Sequence, residues 1–249
     1  MTQHTLTTFA NGKQAIVIPL DPNEDLVETL QTAGLQSTGS TLVIIGGASQ
    51  MTQESIDRVH QLFQTVLAPL AETLNAVVID GGTDTGVMQM IGQARANIGA
   101  SFLLVGVAPA SKVSFPDGSS VHPDGEPLEP NHTHFVLTPG TEWGDETPFI
   151  RSITRLLAAD RGAVTVLING GAISLEEVAL SIAIGVPVVV IAGSGRLADE
   201  IATAIASPEI PPRKEIAPLL ASNLLYVFDR DKPLSALTTL LKEHLTRQR

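Results

Sequence analysis

The chain has 249 residues, of which 43% are hydrophobic but only 4% aromatic, so its core must be aliphatic, as a parallel sheet buried on both faces requires. It contains no cysteine, which excludes disulfides and thiolate metal sites. The formal net charge of -11 argues against long nucleic acid, whose recognition calls for a basic face.

The opening Met1–Leu6 has no basic stretch ahead of an apolar one, so no signal peptide is expected. The first β-branched run is Ala15–Leu20, followed by Leu42–Ile45. Thr52–Leu74 then places Ile56, Val59, Phe63, Val66, Leu67 and Leu70 at helical spacing, with Pro69 marking a kink or an end. A strand at Ala76–Ile79, a helix over Thr85–Ile98 and a strand at Phe102–Val107 come next. The rhythm breaks at about 108–130, where Pro109, Pro116, Pro123, Pro127 and Pro130 stand among the turn pairs Asp117-Gly118 and Asp124-Gly125. This insertion reads as a lid, a hairpin excursion or a surface loop. Strands at His134–Leu137, Val164–Ile168, Val186–Ile191 and Leu224–Phe228 alternate with helices over Thr147–Ala159, Ser174–Ile184, Arg196–Ala206 and Leu234–Leu245. A second proline cluster, Pro208–Pro218, reads as a connector. Repeated strand–helix alternation predicts an α/β fold of βαβ units, with a mostly parallel central sheet between two helix layers. The whole of 1–249 is expected to form one domain. The apolar runs are far shorter than the ~20 residues of a membrane helix, so a cytoplasmic protein without membrane insertion is expected.

Glycines cluster where the predicted strands end. The turns are Gly46-Gly47, Gly81-Gly82-Thr83-Asp84-Thr85-Gly86, Gly140-Thr141, Gly170-Gly171 leading to Ser174, and Gly193-Ser194-Gly195-Arg196. Parallel strands bring their carboxyl ends to one edge, where open α/β sheets bind ligands. Glycine permits close backbone approach, and the helix that follows offers unpaired amides to an anion. Arg196 is the one cation in these turns and suits a phosphate clamp. Gly193–Ala198 fits G-x-G-x-x-G/A but lies late in the chain, so a standard dinucleotide site is not assigned. There is no P-loop and no nucleophile elbow.

In order along the chain, Gly81–Met88, Asn131-His132-Thr133-His134-Phe135, Gly170-Gly171 and Gly193–Asp199 together resemble the cytosolic N-terminal homology region of TRPM-type cation channels. That region is an LSDAT-type member of the SLOG superfamily, named for the DNA-uptake protein Smf/DprA and the LOG cytokinin-activating enzymes. With no membrane segment in evidence, the chain resembles a free-standing prokaryotic relative. The resemblance runs from about Leu42 to Asp199. It implies a Rossmann-like three-layer αβα sandwich with a nucleotide pocket, which takes ADP-ribose in some channel members. It also implies a ligand-binding or sensor function for an ADP-ribose-like or other NAD-derived nucleotide, with no further cofactor required. By that resemblance the ligand is surrounded by Gly46, Gly47, Gly81, Gly82, Thr83, Gly86, Gly170, Gly171, Gly193, Ser194, Gly195 and Arg196. Gly140, Thr141 and Ser174 join them from the strand-end turns, and Asn131 and His134 either orient the ligand or bond backbone beside the proline-rich loop.

LOG enzymes carry P-G-G-x-G-T-x-x-E, and Glu177 stands where their sugar-directed Glu stands. Asn169, Ile173 and Ser174 depart from the motif, and no Arg-rich element accompanies it. Glu177 therefore has three readings: catalysis of N-glycoside hydrolysis, a hydrogen bond to ribose, or an acid complementing a helix dipole. Asp84 reads as a helix cap or a sugar contact, and Trp143 as a base-stacking ring or a core anchor. His132 and His134 share one strand face, with only His122 near them, so no metal site is expected. Three functions remain open: a nucleotide sensor, a nucleotide N-glycosidase, and an oligomeric scaffold without a ligand. Homo-oligomerisation is compatible with each.

Overall fold

A computed structural model describes residues 4–36, 39–116, 125–158, 161–207 and 213–247. An antiparallel hairpin of β1 (Thr5–Thr8) and β2 (Gln14–Pro19) leads through α1 (Leu26–Thr32) to β3 (Thr41–Gly46). Next come α2 (Gln53–Leu62), a π turn (Phe63–Leu67) and α3 (Ala68–Leu74), then β4 (Val77–Asp80), α4 (Gly86–Asn97) and β5 (Leu104–Pro109). Two short strands, β6 (Val113–Ser114) and β7 (Glu126–Pro127), pair with each other in the proline-rich segment. The chain continues through β8 (His134–Thr138), α5 (Thr147–Ala158), β9 (Ala163–Ile168), α6 (Ala172–Ala183), β10 (Val188–Ala192) and α7 (Arg196–Ala206). It closes with α8 (Ala217–Leu220), β11 (Leu225–Asp229) and α9 (Leu234–Leu245).

The nine-stranded sheet has the order β1-β2-β8-β5-β4-β3-β9-β10-β11, and only the β1–β2 pair is antiparallel. Alternation along β3 shows the layering: Leu42 and Ile44 pack into the cluster built by α2, α3, α4 and α9, whereas Val43 and Ile45 face the helices on the other side. The fold is thus an α/β sandwich of three layers. From β3 the chain runs outward through β4, β5 and β8, then returns to the other side of β3 with β9, β10 and β11. The strand order therefore reverses between β3 and β9. Two neighbouring loops leave that point toward opposite faces of the sheet, which opens a crevice at their carboxyl ends.

Three features differ from expectation. The exposed, threonine-rich β1 has no buried alternation to signal it, and it pairs on the sheet edge. Pro69 does not end its helix; the π turn directly before it changes the hydrogen-bond ladder where proline brings no N–H. The proline-rich return strand docks on the β4–α4 turn through a bridge between Thr83 and Leu128. The turn pair Asp117-Gly118, together with His122, Pro123 and Asp124, lies outside the described residues, as do Ala159 and residues 208–212 of the second proline cluster.

Candidate functional site

The site begins with α6. Gly170 has φ +90 and Asn169 φ +59, a left-handed pair that turns the chain sharply from β9 into the helix. Helix starts leave their first amides without intrahelical acceptors. Here the N–H groups of Gly170, Gly171, Ala172, Ile173 and Ser174 have no acceptor among the described residues. Across the reversal point, Gly46 leaves β3 with φ +130, and a Cβ there would collide with the Ile168 carbonyl. Gly47 differs, because a Cβ added to it would meet nothing within 4 Å.

These turns enclose a cleft of about 390 Å³, within the range of small-molecule sites. Of the sequence-predicted residues, Gly46, Gly47, Gly81, Thr83, Gly170, Gly171, Ser174, Glu177 and Arg196 line it. Ile44, Ile45, Met88, Trp143, Glu146, Ala172 and Ile173 complete the wall. Arg196 opens α7 in a left-handed conformation, φ +45, and its guanidinium lies against Gly171, where a Cβ would stand 2.8 Å from Nη2. It is exposed and has no ion-pair partner among the described residues.

The remaining predicted residues do not line the cleft, and each has a local reason. The β8 turn is occupied by its own acid: Thr141 N and Glu142 N donate to Asp145 Oδ2 at 2.8 and 3.0 Å, and a Cβ at Gly140 would meet that side chain. The same backbone donors hold the Asp145 carboxyl below its usual pKa. The β10 turn is similarly closed. Gly193 N donates to Asp199, and Ser194 Oγ donates to Ile191 O while accepting from Asn169 N. Gly193 faces Arg230, and Gly195 faces the Asn169 amide. Asp199 thus holds a turn. Gly82 packs on β5, where a Cβ would stand 2.8 Å from Gly106 Cα and 3.1 Å from the Phe135 ring. Gly86, φ +54, packs against Ala48. Asn131 is buried and accepts from Lys13 Nζ at 2.8 Å, and His134 Nε2 lies 3.2 Å from Ala33 O; the first precedes β8 and the second begins it, at the amino end of the strand. Burial holds the His134 pKa down to about 4.

Beneath the β4 turn lies a buried relay that the spacing of residues did not disclose. Asp80 Oδ1 accepts from Gly82 N at 2.7 Å and from His132 Nε2 at 2.9 Å, while His132 Nδ1 donates to Glu129 Oε2 at 2.9 Å. A Cβ at Gly92 would overlap the Glu129 carboxyl, so that glycine makes room for the relay. Burial disfavours the charged imidazole, but Asp80 and Glu129 outweigh it and raise the His132 pKa to about 9. Among the described residues no group of three or more His, Asp or Glu side chains is placed to hold a metal ion.

In the cleft, Glu177 has no hydrogen-bond partner among the described residues. Burial pushes its pKa well above the usual carboxylate value, and the charges of Glu146 and Glu176 push it further. Glu146 was not anticipated from the sequence. It is 6% exposed, accepts from Gly144 N at 2.7 Å through one oxygen, and is likewise shifted upward by burial. Its only sequence signal was an acid directly before a helix, which ordinarily reads as a dipole complement. Trp143 and Ile173 are 37% and 38% exposed at the cleft wall, so Trp143 is no core anchor.

Comparison with known proteins agrees with this architecture. The family model described as "SLOG in TRPM, prokaryote" matches residues 39–238. The chain is 28% identical over 210 residues to transient receptor potential cation channel subfamily M member 2 of Rattus norvegicus, covering 70% of this chain and 14% of that protein. The Mus musculus protein of the same name is 28% identical over 234 residues, covering 79% and 15% respectively. A member-like 2 protein of Nematostella vectensis is 27% identical over 220 residues, covering 73% and 14%. The chain therefore spans about one seventh of the length of these relatives. No helix among the described residues is long and apolar enough to cross a membrane. With two hundred consecutive residues matched and the strand-end cleft in place, the chain belongs to the prokaryotic family of SLOG domains related to TRPM channels.

Proposed function

We propose that the chain is a nucleotide-binding sensor domain whose cleft takes an ADP-ribose-like ligand, phosphates first. The observation that carries this reading is the run of five unpartnered amides at Gly170–Ser174, facing the glycine turn of β3 across the strand-order reversal, with an unpaired Arg196 beside it. Such amides at the positive end of a helix favour negative charge, and an unpaired guanidinium adds two parallel donors to a phosphate. Trp143 and Ile173 offer a flat apolar surface to a base. The named relatives are cation channels; the sensing role proposed here concerns only the segment that this chain shares with them.

The test exploits Gly47. Because a Cβ there meets nothing, Gly47→Val should fold normally and fill the cleft. Titration calorimetry with ADP-ribose should show binding to the native protein and a loss of about tenfold or more in Gly47→Val and in Arg196→Ala. Unchanged affinity in both, at native melting temperature, would remove the cleft from consideration. No ligand-induced rise in melting temperature across a nucleotide panel would instead favour the oligomeric scaffold.

A second reading draws on Glu177. A buried carboxyl whose pKa is raised by burial suits general-acid departure of a base, so a nucleotide N-glycosidase is the alternative. Incubation with NAD, ADP-ribose and AMP followed by chromatography separates the two readings, since only hydrolysis releases free base.

A further inference from the structure

The cleft carries its charges unevenly. One side presents amides and Arg196, which suit phosphate. The other presents Glu146 and Glu177, which do not. Glu146 is nine-tenths buried and its carboxyl accepts only from backbone, from Gly144 N and its own N–H; Glu177 has no partner among the described residues. Each acid lies next to an exposed apolar side chain. Ile173 and Glu177 are four residues apart on α6, hence on one face. Trp143 and Glu146 bracket the turn before α5, and Gly144 in that turn lies near Ile173, whose Cγ1 would be 3.7 Å from an added Cβ. The two carboxylates and the flat apolar pair therefore form one subsite. Two carboxylates beside an indole match a flat cation better than a neutral base, because both the ring face and the carboxylates attract it.

We propose that this subsite selects nucleotides whose base is positively charged through its glycosidic nitrogen, of the N-ribosylpyridinium class. This rests on the nucleotide reading of the cleft and names its ligand more narrowly. The phosphates occupy the amide cradle and Arg196, and the cationic ring lies against Trp143 and Ile173 with its charge toward Glu146 and Glu177. A cation also offsets the mutual repulsion of the two acids, to which Glu176 adds. Asp145 is the other acid near Glu146.

NAD+ and NADH make the deciding pair, because they share size and phosphates and differ by one charge on the ring. Titration at pH 8 and low salt should give NAD+ an affinity about tenfold above that of NADH. In the E146Q/E177Q double variant the ratio should fall to within about twofold, while ADP-ribose still binds. The variant removes two poorly solvated charges, so its melting temperature should not fall, and a native-like melt confirms that it is folded. Equal affinity for NAD+ and NADH in the native protein, or a ratio unchanged in the double variant, overturns the inference. If ADP-ribose binds while NAD+ and NADH remain indistinguishable, only this inference fails. If none of the three binds, the nucleotide reading fails with it.

Discussion

Two pairs of carboxylates lie on either side of the β4 turn, and the protein treats them oppositely. Asp80 and Glu129 are sealed in the interior with His132 between them, and Gly82, Asn131 and the imidazole supply donors. Glu146 and Glu177 line an open cleft, and among the described residues only backbone N–H groups at Gly144 and Glu146 donate to them. The first pair is compensated from within and fixes a turn; the second is left to be compensated from outside. Unpaired charge in a crevice, more than acidity itself, separates a binding surface from a structural clamp.

The comparison can be broken most forcefully at His132. His132→Ala leaves two buried carboxylates facing each other and should cost about 3–5 kcal/mol of folding stability in urea denaturation. An effect near zero would mean that the relay does not hold the fold.

The pH dependence sharpens the contrast between two histidines only two residues apart. The His132 pKa is raised from 6.5 to about 9, so its contribution is complete below pH 6.5 and is lost as pH rises through 9. That shift corresponds to about 3 kcal/mol. The His134 pKa is lowered to about 4, so its contribution is present above pH 6.5 and is lost as pH falls through 4. Urea midpoints should therefore decline on both flanks, and His132→Gln should flatten the alkaline flank alone.

The smallest effect is expected at the open pair. The Glu177 pKa is raised, so the folded state loses stability as pH climbs from the ordinary carboxylate range through the shifted value. Glu177→Gln removes that loss and should raise the melting temperature slightly at pH 7–8 while leaving it unchanged at acid pH. A melting temperature that drops would show that the native carboxylate is satisfied in a way the cleft geometry does not reveal.

The sheet was legible in the sequence because its inner strands are buried on both faces. Leu42–Ile45 is an unbroken aliphatic run and Val164–Ile168 is interrupted only by Thr165, and they became the cores of β3 and β9. The Thr5–Thr8 edge strand carries no such run and was missed. The cleft was half legible. Glycine after a strand marks a sharp turn whether a ligand or the protein itself occupies the space beyond it. Gly47 and Gly82 look alike in sequence, yet a Cβ on the first enters open space and a Cβ on the second strikes β5. The β8 turn was unreadable for a related reason, because the Asp145 carboxyl takes the donors that an anion would use. Glu146 could not be assigned from spacing, since its partner in charge, Glu177, is on a different helix.

The position of β2 has a practical consequence. It lies between β1 and β8, whereas the family match begins only at residue 39. Trimming the protein to the matched segment would strip two strands from the sheet and bare the backbone of β8, whose five residues are all buried. An uncovered aliphatic rim of that kind invites stacking of one molecule on another, so a shortened version would be prone to aggregate even with every residue of the cleft intact.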